Sequence, residues 1–490
     1  MEKKMTNQSA SSASLNRATE AFTIIGDRKV RGNEYRLPSP YNGETVGTIH
    51  NSTPEDVKSA IDSSFEAGKA WSRTPAHARA ELLMDVARLM KQRTDELAGI
   101  MARQTGKTLK DARTETARSI SAMIISAEEA KRICGRMIPM DAVEPGTGKM
   151  GFTLRVPVGV VAGITPFNAP LSTLVHKLGP ALAGGNTLVV KPHPNGSGVT
   201  ALMAEIVQEA CVPPGVFNVV HGGADVGAAL VQSDKIALVN FTGSGVVADK
   251  IIRSIGLKRV LLELGGNAPT IVHSDANLDK AVPVCVEAAF GLTGQSCIST
   301  QRIYVHRSCY DAFLQRFVAA VSTRKVGDPV DPATEVGPMI DEISAKRVET
   351  WVQEAVAGGA KLECGGTRKG NVVTPAVLTQ VTAQMKVVCE EVFGPVASVT
   401  PYDSLDEVIA WANDTPWGLK SGVFTRSLDV AFRLARELEY GAININAASR
   451  ARTDQEPSGG IKQSGWGKEG PRFAIEEMTD VKMVSVTAAD

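Results

Sequence analysis

A chain of 490 residues exceeds what one hydrophobic core holds, so two or three domains are expected. With 43% hydrophobic and 22% charged residues the composition is that of a soluble α/β protein, and no apolar run reaches the ~18 residues of a membrane span. Lys and Arg total 53 against 53 Asp and Glu, without basic blocks, which excludes an electrostatic footprint for nucleic acid or an anionic membrane and points to a small-molecule partner.

The opening "MEKKMTNQSASSASLNRATEAF" is polar and Ser-rich without an apolar signal core, and residues 1–19 read as a flexible leader. Apolar residues at helical spacing follow from Pro54 to Thr105, and again from Leu109 to Cys134. Residues 135–155 interrupt them with Pro, Gly and alternating polar positions. "VPVGVVAGI" at 156–164 reads as one buried strand. From there short β-rich runs at 159–164, 186–192, 216–222 and 236–244 alternate with helical stretches at 171–184, 198–211 and 224–232, the signature of a parallel sheet. The alternation resumes after 265, at 269–274, 302–306, 396–402, 421–425 and 441–446, predicting a second α/β domain. A last strand-like run, 480–487, together with 135–155, predicts a β-ribbon used for association.

Cysteines occur at 134, 211, 285, 297, 309, 364 and 389 without a CxxC pair, and the seven histidines show neither HxH nor HExxH spacing. This fits reduced thiols in a cytoplasmic protein with no disulfide framework and no bound metal.

Three motifs carry chemistry. "FTGSGVVA" (241–248) gives GxGxxA through Gly243, Gly245 and Ala248 between a strand and a helix; such a turn either cradles a pyrophosphate on free N–H groups or merely connects two elements. Glu263 in "LLELGGN" follows at the spacing of a ribose-binding acid. Its neighbours Leu262, Leu264, Gly265 and Gly266 equally suit a desolvated general base, and a strand-end salt bridge is the third reading. Cys297 in "GQSC" lies among small polar residues, where a substrate can approach and a backbone N–H is free to donate, unlike Cys134, Cys211 and Cys285 among Val, Ile and Ala.

Taken together, "TPFNAP" (165–170), "NTLVVKP" (186–192), "FTGS" (241–244), "LELGGN" (262–267), "GQSC" (294–297) and "EEVFGPV" (390–396) resemble, in order and spacing, the NAD(P)-dependent aldehyde dehydrogenase superfamily from about residue 20 to the end. The resemblance implies an α/β fold with a Rossmann-type cofactor domain (20–134 and 156–264), an α/β catalytic domain (265–470) and a β oligomerisation flap (135–155 and 471–490), assembling as a homodimer or homotetramer. It implies Cys297 as nucleophile, forming a thiohemiacetal and then a thioester, Asn168 with the Cys297 N–H as oxyanion donors, and Glu263 as the base that activates water. For the cofactor, NAD or NADP, it implies Lys191, Ser244, Gly243, Gly222, Glu391, Phe393, Phe167 and Thr165.

Departures from the family pattern bear on specificity. Phe167 stands where many relatives carry Trp, Ala169 where a large apolar residue is common, and Pro194 where strictly NAD-using relatives often carry Glu, so NADP becomes admissible. Arg118, Arg450 and Arg452 are the candidate substrate ligands, suited to a small polar or anionic aldehyde; the alternative is that they pair with Asp454, Glu456 or another subunit. Ser296 lacks the arginine of some phosphate-reading relatives. A CoA-acylating enzyme would dispense with Glu263, a papain-like hydrolase would need a histidine beside Cys297, and a non-catalytic protein that kept the fold would be expected to lose some of these residues.

Overall fold

The structure, a computed structural model, describes residues 19–487. The expected leader lies outside them but for Thr19, which opens the short strand Thr19–Ala21.

The β-rich runs between 159 and 264 form one parallel sheet wound in two directions. Its first strand, Val160–Thr165, is central. The chain adds Thr187–Pro192 and Phe217–Val219 on one side, then returns to add Ile236–Thr242 and Arg259–Glu263 on the other. Val161, Val189, Val190 and Val239 are wholly enclosed, as strands covered by helices on both faces require. Antiparallel strands Thr23–Ile25 and Gly465–Trp466 extend the two edges, so the stretch after 265 lends one strand to this sheet. Reversing the winding direction leaves a crevice at the carboxyl ends, where Thr165, Thr242 and Glu263 stand.

Stretch 156–164 is not one strand. Lys149–Pro157 belongs to the ribbon and Val160–Thr165 to the sheet, separated by Gly159 with φ of +126°, a conformation open to glycine. The helical stretch 54–105 likewise divides into Pro54–Trp71, Ala76–Gln92 and Thr94–Thr105.

The second sheet runs Lys361–Cys364, Ala376–Thr379, Val396–Tyr402, Thr300–His306, Ala268–Val272, Lys420–Phe424, Ala442–Ile445, parallel except at its first strand. Cys297 immediately precedes Thr300–His306, and Gly265–Asn267 precede Ala268–Val272. The carboxyl ends of one sheet therefore face turns at the amino ends of the other. A three-stranded ribbon completes the fold, with Lys149–Pro157 paired antiparallel to Thr479–Thr487 and to Met137–Ile138. It leaves Met137, Met150, Leu154, Val481 and Met483 exposed.

Candidate active site

Cys297 sits in a turn that its neighbours shape closely. Leu292 and Thr293 have φ of 56°, and Gly294 has φ of +67° where a Cβ would lie 2.0 Å from the Gly394 carbonyl. Ser299 Oγ donates to Ala288 and Ala289 carbonyls, and Gln295 Oε1 accepts from Ile340 N at 2.9 Å. Asn168 reaches the same turn from the first sheet, donating one Nδ2 hydrogen to Gln295 O at 2.8 Å and keeping the other. Helix Pro170–Ala183, which follows Asn168, has no cap of its own; Glu115 Oε1 takes the N–H groups of Leu171 and Ser172 instead, and Lys107 pairs with Glu115.

Cys297, Asn168 and Glu263 line one cavity of about 560 Å³, together with Arg118, Arg450 and Arg452. Burial pushes the Cys297 thiol up to about 12, and the carboxylates of Glu391 and Glu263 add to this. Burial also holds the Glu263 carboxyl well above the usual range, with the charge of Glu469 second and Arg452, Lys177 and Lys468 opposing. Glu469 moves the other way: burial resists its ionisation, but Lys177 and Arg452 outweigh that cost.

Residues expected to hold the cofactor do not line this cavity. They lie along the carboxyl ends of the first sheet and across the turn from Cys297. Ser244 caps helix Gly245–Ser254 without a side-chain cap bond, and Gly245 has open space around it, so the amides of that helix start are available to an anion. Lys191 Nζ touches only the Pro192 carbonyl, at 3.5 Å, among its hydrogen bonds, and burial lowers its pKa while Asp225 raises it. The Thr165 hydroxyl is buried without a partner. Phe167 meets the Phe393 ring edge-on at 6.0 Å, and Phe393 has φ of 45°. Glu391 accepts from Gly266 N at 2.9 Å, and burial raises its carboxyl to about 7. Gly243 is crowded by Phe241, 2.5 Å from a Cβ there, and Gly222 by Val226, at 2.4 Å, so internal packing already requires both glycines. Orphaned donors, an open helix start and a lightly held ammonium fit a dinucleotide phosphate and ribose.

The three arginines are paired. Arg118 Nη2 donates to Asp454 at 2.8 Å, Arg450 to the Glu287 carbonyl at 3.0 Å and to Asp111 at 3.3 Å, and Arg452 to Glu469 at 3.2 Å. Arg118 and Arg452 each keep a buried Nε without an acceptor.

Sequence reading missed Lys177, Glu469 and the anchors Asp111 and Glu115. Lys177 Nζ donates to Asn240 and Thr242 at 2.8 and 2.7 Å and lies 3.6 Å from Glu469. The one available signal for Lys177 was a lysine within the otherwise apolar run Leu174–Ala183, beside His176.

The aldehyde dehydrogenase family model matches residues 28–484. The chain belongs to the aldehyde dehydrogenase family. It is 43% identical over 462 residues to the 3-sulfolactaldehyde dehydrogenase of Priestia aryabhattai, covering 94% of this chain and 96% of that one. It is 37% identical over 461 residues to the NADP-dependent succinate-semialdehyde dehydrogenase of Escherichia coli, covering 93% and 95%. Among solved structures, aldehyde dehydrogenase 21 of Physcomitrella patens, in complex with its product succinate, superposes with a TM-score of 0.94 at 34% identity, over 96% of this chain and 99% of that one. The chain is thus an oxidoreductase that converts an aldehyde to a carboxylic acid with NAD or NADP, on the aldehyde dehydrogenase fold.

Proposed function

We propose that this aldehyde dehydrogenase oxidises a short aldehyde with an anionic tail, a carboxylate or sulfonate. The observation that carries the reading is Arg118: it lines the cavity that holds Cys297, is bound to Asp454 through one nitrogen, and keeps its Nε unpaired. A guanidinium with unused donors is suited to carboxylate or sulfonate oxygens. Arg450 adds a second positive group on the same cavity, held at longer distances. The relatives named for sulfolactaldehyde and succinate semialdehyde take aldehydes of this kind.

In this reading the Cys297 thiol gives up its proton to solvent and the resulting thiolate adds to the aldehyde carbon, while Asn168 Nδ2 and the Cys297 N–H donate to the oxyanion. Lys191, the helix start at Ser244, and Glu391 hold NAD(P), which accepts the hydride when bound. A thioester on Cys297 remains. Glu263, its carboxyl raised chiefly by burial, removes a proton from water for hydrolysis. Glu263 sets this scheme apart from transfer to CoA. The ribbon's exposed apolar side chains support assembly as a homodimer or homotetramer, and the unpaired cysteines a cytoplasmic setting.

Steady-state kinetics with carboxylated, sulfonated and neutral aldehydes of equal length test the substrate class. The proposal expects kcat/KM for the anionic members to exceed that for neutral ones by about tenfold or more, and Arg118→Gln to remove that margin. Equal kcat/KM across the panel would refute it.

A further inference from the structure

The buried histidines differ in what surrounds them. His221 meets the Ser197 hydroxyl at 3.1 Å and the Phe22 carbonyl at 3.2 Å, so both its nitrogens are satisfied by neutral groups. His176 instead lies among charges of the active site. Its Nε2 is 3.3 Å from Arg452 Nη2 and 3.6 Å from Asp454 Oδ1, and its Nδ1 has no hydrogen-bond partner.

The 3.3 Å contact with Arg452 is a hydrogen bond only when Nε2 accepts, because arginine only donates; the ring is then neutral with its proton on Nδ1, and Asp454 at 3.6 Å lies beyond hydrogen-bond reach. A protonated ring would confront Arg452 with a like charge. Burial, and then the Arg452 guanidinium, lower the His176 pKa, with Asp454 and Glu469 opposing.

The same Arg452 Nη2 that rests on His176 also donates to Glu469 Oε2 at 3.2 Å. Lys177, the next residue along the helix, lies 3.6 Å from the other Glu469 oxygen. Of two consecutive residues in Pro170–Ala183, His176 contacts one cation beside the Glu469 carboxylate, Arg452, and Lys177 is the other. Glu263 is faced by Glu469, Arg452, Lys177 and Lys468, and Arg452 in turn by Glu469, Glu263 and Asp454.

We propose that His176 is a positioning residue for thioester hydrolysis: its neutral Nε2 aims the Arg452 guanidinium at Glu469 and so sets the charge around Glu263. The inference rests on Glu263 acting as the hydrolytic base. With the Nε2 acceptor gone, Arg452 turns away toward Asp454, Glu263 loses a favourable positive neighbour, and its proton is held more tightly. Water activation then slows and requires higher pH, whereas hydride transfer, which precedes it, does not.

The test compares wild type, His176→Phe, His176→Gln and Glu263→Gln, each checked for folding by circular dichroism, in rapid-mixing and steady-state assays with NADP and succinate semialdehyde. His176→Phe is expected to keep the first-turnover burst of reduced cofactor, to lower kcat roughly 5- to 10-fold, and to move the acid limb of the kcat profile to higher pH. His176→Gln, whose Oε1 can accept in place of Nε2, is expected to restore most of kcat. A folded His176→Phe with wild-type kcat and acid limb overturns the proposal, as does a Gln variant no better than Phe. If His176→Phe does not fold, His176→Leu, which also lacks an acceptor, takes its place with the same expectations, and a folded His176→Leu with wild-type kcat and acid limb overturns the proposal. If Glu263→Gln leaves kcat intact, the assignment of the base has failed, and with it the step this inference depends on.

Discussion

Gly266 lies so close to Cys297 that a Cβ on it would stand 2.2 Å from the Cys297 carbonyl oxygen. The same glycine gives its N–H to Glu391, so one backbone position without a side chain joins the thiol turn to the expected nicotinamide-ribose acid. Gly265 is similarly placed, its Cβ position 2.6 Å from Glu391 Oε2.

Gly266→Ala is therefore expected to displace the Cys297 turn. A reacting atom moved by about 1 Å costs on the order of a hundredfold in rate, so kcat/KM should fall by about that factor while the protein stays folded. Activity assays beside circular dichroism read both quantities. Wild-type kcat/KM in a folded variant would show that the turn tolerates the methyl group.

Cofactor choice turns on the residues after Lys191. Pro194 begins the short 3-10 turn Pro194–Gly196 and offers no carboxylate to repel a 2′-phosphate. Both NAD and NADP are expected to support turnover, and Pro194→Glu to raise KM for NADP by about tenfold or more while changing KM for NAD little. Initial rates with each cofactor measure this.

The Cys297 thiol, raised to about 12 chiefly by burial, is protonated at neutral pH in the cofactor-free protein. Its alkylation by iodoacetamide should thus be slow near pH 7 and climb about tenfold per pH unit through pH 9 to 10 without levelling off. Peptide mass spectrometry at several pH values follows it. A plateau near pH 8 would mean a thiolate stabilised by the turn itself.

How much of this was legible beforehand varies by residue. Cys297 left a local mark, a thiol among small polar neighbours, whereas Asn168 was named only through the family resemblance. Strands 160–165 and 187–192 were plain from their short apolar, Val-containing runs. Glu263 was ambiguous from its neighbours alone, since spacing from "GSGVVA" also suits a ribose acid; the resemblance favoured the base, and in the structure Glu263 lines the cavity with Cys297. Asp454 was named as an alternative partner for the arginines and does take Arg118, but Asp111 and Glu287 as partners of Arg450 and Glu469 as partner of Arg452 were not legible. Arg118 and Asp454 stand 336 positions apart, and Arg450 and Asp111 stand 339 apart; only the packing of helix Leu109–Ala130 under the 448–460 loop brings them together. Gly159 broke an apparently continuous strand for a conformational reason that apolar periodicity does not register.

The account's central claim is a cysteine thioester formed on Cys297 and hydrolysed with Glu263. It is tested most directly by rapid mixing of enzyme, NADP and aldehyde, with the protein quenched in acid and its intact mass measured. The prediction is a burst of reduced cofactor in wild type and in Glu263→Gln, an acyl adduct on Cys297 that accumulates in Glu263→Gln, and neither burst nor adduct in Cys297→Ala. Reduced cofactor formed by Cys297→Ala, or no adduct in a Glu263→Gln enzyme that turns over slowly, would contradict it.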